Sequence, residues 1–172
     1  MIYLDELDLY IDKITTEQYI KYLNYDEDSS IEDIEKKYLI VHVLANLPMQ
    51  QVANINLWDI NSIYMKLYLY IIENIENKYS WICEKAMGIT PIEQQKSIFD
   101  DYDKEQDELY GKVEFEKEKT YNQKKIEMIN FFIRYMSTNH KLNYNDFMKS
   151  DLSELLDNIF YNLKYDREHK TE

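Results

Sequence analysis

Glycine and proline are scarce in this chain, with only two of each among its 172 residues. A β-sandwich or β-barrel needs a turn about every 8–12 residues, and most such turns use one of these two residue types. Helices need fewer turns, and Ser, Thr, Asp or Asn can cap their ends. The sequence therefore predicts a mainly α protein, and we expect residues 1–172 to form a single-domain helical bundle of about six to seven helices.

The most apolar stretch is the run YLIVHVLANL at residues 38–47, which stops at Pro48. A membrane-spanning helix needs about 20 apolar residues, so the run covers about half of that length, and it contains His42 and Asn46. The sequence therefore predicts no membrane span, and we expect the run to lie inside the folded protein.

The same run is predicted to be a helix, although its β-branched and aromatic residues also suit a central strand. Ser29 and Glu32 have the S-x-x-E spacing of a capping box, and apolar side chains follow at helical intervals. The predicted helix begins at Ile31 and is apolar around almost its whole circumference from Tyr38 onward. Such a helix belongs in the middle of a bundle.

Two shorter segments alternate apolar and charged residues. Residues 2–11 fit a short strand or an extended lead-in. Residues 112–118 fit either a strand that forms a small β-hairpin with residues 2–11 or an exposed charged helix, within a charged excursion at 92–125. The remaining helices are expected to begin near Thr15, Asn56, Thr90, Tyr121 and Asp151.

The chain carries 33 acidic and 20 basic residues, for a formal charge of −13. A phosphate backbone repels such a surface, so general nucleic-acid binding is disfavoured. The charge fits a basic protein partner, mimicry of DNA, or high solubility. Cys83 is the single cysteine, and the acidic start MIYLDELDLY lacks the basic residues of a signal peptide. We therefore expect a protein of the cytoplasm.

Catalytic motifs are missing from the sequence. The three histidines lack the spacing of a helical metal site, and His42 lies among apolar neighbours. The acidic segment 101–112 resembles a calcium loop, but Gln106 occupies the position where that turn needs glycine. Phosphate-loop, nucleophile-elbow and zinc-protease motifs do not occur. The sequence therefore predicts a protein that is not an enzyme, with no catalytic residue, no cofactor and no metal ligand.

Aromatic residues are abundant, with 17 tyrosines and two tryptophans. Both residue types offer rigid contact area with a polar end, and both are enriched in protein interfaces. Met49, which follows Pro48, adds a flexible side chain that can adapt to a partner. The candidate partner-binding residues are Met49, Val52, Ile55, Trp58, Tyr64 and Tyr68.

Residues 14–75 resemble a known family in the order of their features. A short helix (ITTEQYIKYLN) is followed by an acidic cap and an apolar helix (SSIEDIEKKYLIVHVLANLP), and then by a small loop and an aspartate that leads a long helix (PMQQVANINLWDINSIYMKLYLYI). This order resembles the tail assembly chaperones of tailed phages, and LNYNDFMKSDLSELLDNIFYNL resembles the closing helix of some members. The resemblance implies a non-enzymatic protein that binds the apolar tape-measure protein, or another tail protein, during tail assembly in the cytoplasm of a bacterial host.

Two other interpretations stay open. The same features suit a structural component of the virion, such as a baseplate or tail protein that remains in the particle. The acidic surface also suits an inhibitor that mimics DNA and binds a host defence nuclease. The sequence leaves the identity of the partner and the oligomeric state open.

Overall fold

The computed structural model describes residues 1–87, 119–140 and 143–169 of the chain. These residues form a mainly helical bundle with one small antiparallel sheet, which confirms the predicted fold class. Three predictions lie outside the described residues: the helix expected to begin near Thr90, the strand or charged helix at 112–118, and most of the charged excursion at 92–125.

The N-terminal segment forms a hairpin of its own. Strands β1 (Ile2–Leu4) and β2 (Leu9–Ile11) pair antiparallel, and a 3₁₀ turn (Asp5–Leu7) joins them. Asp8 closes the turn in the left-handed region, with φ at 48°. Asp is one of the few residues besides glycine that enter this region readily. The segment 2–11 is therefore extended at its two ends, and these ends pair with each other, because the chain turns at Asp8 without a glycine to signal it.

Seven helices follow in the described ranges. They are α1 (Thr16–Glu27), α2 (Asp33–Leu44), α3 (Met49–Val52), α4 (57–87), α5 (Tyr121–His140), α6 (Tyr144–Lys149) and α7 (Leu152–His169). Helix α4 is continuous but not uniform. Its α-helical parts, Leu57–Ile71 and Asn77–Trp81, alternate with π-helical parts, Ile72–Glu76 and Ile82–Met87. Because a π-helical turn is wider than an α-helical one, it rotates the side chains that follow it, and such turns are frequent at functional sites.

Helix α4 forms the centre of the bundle. Its inner face consists of side chains that are 0–1% exposed, namely Ile60, Ile63, Leu67, Ile71 and Ile75. Helix α2 and strand β1 pack against its first half, and α7 packs against its second half. The apolar run at 38–47 was expected at the centre of the bundle, but α2 is buried only from Ile40 onward. Ile34, in the first turn of α2, is 42% exposed. The reason is that the first turns of α2 are polar.

Helix α2 begins at Asp33 rather than at Ile31. Glu32 occupies the N-cap position without a side-chain hydrogen bond, so the capping box predicted for Ser29 and Glu32 does not form. The Asp28 carboxylate instead accepts hydrogen bonds from the backbone N–H and the hydroxyl of Ser30, at 2.9 and 2.6 Å. Such local side-chain turns compete with helix formation, which explains the later start.

Helix α1 has a complete capping box, and its contribution to stability can be compared with that of Ser29, where the predicted box does not form. The Thr15 hydroxyl accepts a hydrogen bond from the Gln18 backbone N–H at 3.2 Å, and the Gln18 side chain accepts one from the Thr15 N–H at 2.8 Å. We expect Thr15→Ala to lower the free energy of unfolding by about 1 kcal/mol, as the loss of such a cap usually does. In urea denaturation, Ser29→Ala should change it by less than about 0.5 kcal/mol. Equal losses in the two variants would contradict both assignments.

Candidate functional site

Two of the six predicted partner-binding residues pack in or against the core. Val52 is fully buried, and Ile55 is half-buried against the core. Val52 is therefore out of reach of a partner, because the short helix α3 turns its side chain inward. Met49, at the other end of α3, is 40% exposed. Of these three residues, Met49 remains in the candidate surface.

Helix α4 carries a second apolar stripe, which points away from the core. We call this stripe the α4 outer face, and it consists of Leu57, Trp58, Met65, Tyr68 and Leu69. These side chains are 37–86% exposed, and Trp58 is the most exposed of them. At 3.6 residues per turn their positions lie on one side of the helix. Trp58 and Tyr68, both predicted to bind a partner, therefore lie on the same side of α4 as three further exposed apolar residues, Leu57, Met65 and Leu69.

Ion pairs beside the α4 outer face attach the N-terminal hairpin to α4. The Lys66 ammonium lies 2.8 Å from Oε1 of Glu6 and also contacts the Asp5 carboxylate. The Ser62 hydroxyl donates a further hydrogen bond to Glu6. One lysine thus meets two carboxylates, so this border of the face is negatively charged overall.

A cleft of about 450 Å³ opens beside the α4 outer face, between α1, α4 and α5. We call it the tyrosine cleft, because Tyr22, Tyr64, Tyr68 and Tyr121 form much of its lining. Tyr68 borders both the cleft and the outer face. Tyr64 was also predicted to bind a partner, and its ring stacks on that of Tyr68 with 6.1 Å between the centroids. The structure therefore brings these two predicted residues together.

A buried ion pair lines the inner side of the tyrosine cleft. Lys125 of α5 is 3% exposed, and its Nζ lies 2.7 Å from Oε2 of Glu76, in a π-helical part of α4. The Tyr19 hydroxyl donates a hydrogen bond to the other Glu76 oxygen. The ammonium also lies 4.3 Å from the ring centroid of Tyr121. No local spacing in the sequence signals this cluster, because Glu76 is 49 residues from Lys125 and 57 from Tyr19.

Burial and nearby carboxylates raise the pKa values of the tyrosines around the cleft. The pKa values of Tyr22 and Tyr64 are raised by burial and then by the charge of Asp26. The pKa of Tyr19 is raised by burial and then by Glu76. These phenols therefore stay protonated at neutral pH, and they lie in a field that disfavours further negative charge.

His42 and Cys83 fit structural roles. The Nδ1 atom of the half-buried His42 lies 2.5 Å from the carbonyl oxygen of Leu47, and the Leu47 N–H donates to the His42 carbonyl at 3.1 Å. These contacts close the end of α2, where Asn46 adopts a left-handed conformation with φ at 52°. Burial raises the pKa of the Cys83 thiol, so this thiol stays protonated at neutral pH and is a poor nucleophile.

The described residues form no metal site and no membrane span. Within the described ranges, no group of three or more His, Cys, Asp or Glu side chains is placed to hold a metal ion. The helices described here include none with the length and apolar character to cross a bilayer. No protein-family model matches the chain, and comparisons with curated proteins and with solved structures find no similar one.

Proposed function

We propose that this protein is a binding protein without catalytic activity, and that it presents the α4 outer face, together with the exposed Met49 of α3, to a protein partner. The observation that carries the proposal is the exposed apolar row from Leu57 to Leu69. Several large apolar side chains exposed on one side of a helix mark a candidate interaction site. Trp58, which is 86% exposed, belongs to the residue type that contributes most often to binding energy at interfaces.

The proposed partner segment is an amphipathic helix with basic residues beside its apolar stripe. The row from Leu57 to Leu69 extends over about 20 Å of helix, which matches a second helix lying alongside. The formal charge of −13 attracts a basic segment and repels an acidic one. Met65, inside the row, can adapt its flexible side chain to the partner surface.

The resemblance of residues 14–75 to tail assembly chaperones supports a phage tail protein as this partner, with the tape-measure protein as the first candidate. An acidic helical protein that covers apolar helices of its client would keep the complex dispersed in the cytoplasm of a bacterial host. A structural virion component could use the same surface. Mass spectrometry of purified particles separates the two roles, because an assembly chaperone is expected to be absent from the finished particle.

Coexpression with the tape-measure protein encoded in the same genome tests the proposal. We expect the two chains to copurify, and Trp58→Asp to weaken the complex by more than about tenfold, since it replaces the most exposed aromatic side chain of the row with a charge. Tyr161→Asp is the matched control, because Tyr161 is an aromatic residue on α7 that is 68% exposed. Equal binding by the two variants, or an insoluble tape-measure protein with no complex, would overturn the proposal.

A further inference from the structure

We infer that the tyrosine cleft is a binding site for an organic cation, namely a guanidinium or alkylammonium group. The cleft shares Tyr68 with the α4 outer face, but the rest of its lining comes from α1, from other residues of α4, and from α5. Small molecules alone can test it. The result of that test therefore bears on the cation site alone and not on the protein partner proposed above.

The rings of the cleft are suited to hold a cation. Tyr64 and Tyr68 stack with only 14° between their planes, so they form one extended aromatic wall. On the inner side, the Lys125 ammonium lies 4.3 Å from the Tyr121 centroid, within the reach of about 6 Å that is typical of cation–π contacts. The Lys37 ammonium lies 5.8 Å from the Tyr64 centroid, so two rings of the cleft already contact an ammonium group. Further tyrosine surface is available on the outer side, where Tyr68 is 37% exposed.

The charges of the lining favour a cation over an anion. Asp26 and Glu76 contribute two negative charges and Lys125 one positive charge, which gives a net charge of −1. Because Lys125 is paired with Glu76 at 2.7 Å, the exposed Asp26 carboxylate is the charge that a ligand meets. The Asn122 amide approaches this carboxylate only to 3.4 Å, which is long for a hydrogen bond. A cation would therefore gain a charged acceptor.

Two further lysines border the cleft without lining it. Lys36 Nζ donates to the backbone carbonyl of Asp26 at 3.0 Å, and Lys37 Nζ donates to the Asn61 side chain at 2.7 Å while lying 5.8 Å from the Tyr64 centroid. Both ammonium groups thus donate to acceptors other than the Asp26 carboxylate, and Asp26 is exposed. The volume of about 450 Å³ accommodates a guanidinium with its alkyl chain, and small-ligand sites typically measure about 300–1,000 Å³.

Titration of the full chain with N-acetyl-arginine amide tests this inference. NMR spectra of the labelled tyrosine rings should show saturable shifts in the millimolar range, and the neutral isostere N-acetyl-citrulline amide should cause none. Asp26→Asn should weaken binding about tenfold, because a charge-assisted contact is lost. Asp12→Asn removes the same charge from an exposed position outside the cleft, and it should change affinity by less than about twofold, since solvent screens distant charges.

Two results would overturn the inference: equal shifts with the arginine and citrulline compounds, or an unchanged affinity in the Asp26→Asn variant. Asp26 is exposed, so this substitution is expected to leave the fold intact. Competition then identifies the source of the cation. An arginine-containing peptide that displaces the probe better than spermidine indicates a protein side chain, and the reverse order indicates a free polyamine. The Trp58→Asp variant should bind the probe like the wild type, which keeps failure here distinct from failure of the proposed function.

Discussion

Replacing Lys125 with methionine is expected to lower the free energy of unfolding by about 3 kcal/mol. The substitution keeps most of the apolar stem of a side chain that is 3% exposed, so the loss reports the missing charge. It leaves the Glu76 carboxylate in a largely apolar site, with the Tyr19 hydroxyl as a remaining donor. The expected loss is at the lower end of the range for buried pairs, because the Glu76 side chain is 23% exposed and can recruit water.

Urea denaturation of the single and double variants measures this loss. Glu76→Gln combined with Lys125→Met should lose less than the sum of the two single variants, with a coupling energy above about 1 kcal/mol. The exposed pair of Lys21 and Glu17, at 2.8 Å, is the matched control, and Lys21→Met should cost less than about 0.5 kcal/mol. A coupling energy near zero would show that Lys125 and Glu76 do not stabilise each other in the folded protein.

Local signals predicted helix starts where one polar cap had no competitor. The Asn56 side chain accepts a hydrogen bond from the Asp59 N–H at 3.0 Å, and the Asp151 carboxylate accepts one from the Ser153 N–H at 2.8 Å. Both caps lie where the sequence predicts them. At Ser29 the same reasoning failed, because Asp28 offered Ser30 a competing turn that the spacing of the capping box does not reveal.

The inner and outer faces of α4 could not be distinguished by periodicity. Both stripes are apolar, so the sequence predicts a helix with a wide apolar surface without saying which side faces the core. The choice depends on packing: α2, β1 and α7 cover the stripe that includes Leu67, while Met65 and Leu69 stay exposed. The candidate surface was therefore predicted only through the residue types of Trp58 and Tyr68.

The tyrosine cleft depends on contacts that are distant in sequence. Tyr22, Tyr68 and Tyr121 come from three helices, and only the packing of those helices places the rings around one cavity. The abundance of tyrosine predicted that some would form a surface, but it carried no information about which ones meet. The burial of Lys125 could not be predicted for the same reason, because nothing in the neighbouring sequence distinguishes it from an exposed lysine.

Three buried tyrosines should make the fold unstable in alkaline solution. Tyr19, Tyr22 and Tyr79 are 1–6% exposed, and burial raises the pKa of each above its ordinary value of 10. In the unfolded chain these phenols lose their protons near pH 10, whereas the folded chain retains them. Stability is therefore complete below about pH 10 and is lost as the pH rises, with a slope of about 1.4 kcal/mol per pH unit for each tyrosine and about 4 kcal/mol for the three.

Urea denaturation from about pH 9 to pH 12, with tyrosinate absorbance recorded alongside, measures this slope. Tyr22→Phe removes one of the three phenols and should reduce the slope by about a third. Tyr165→Phe is the matched control: its phenol is on a residue that is 61% exposed, so the slope should not change. If Tyr22→Phe left the slope unchanged, the phenol of Tyr22 would have to ionise as readily in the folded chain as in the unfolded one. The Tyr22 side of the cleft would then be open to water, and a cation there would lose the low-dielectric surroundings that strengthen its contacts with the rings and with Asp26.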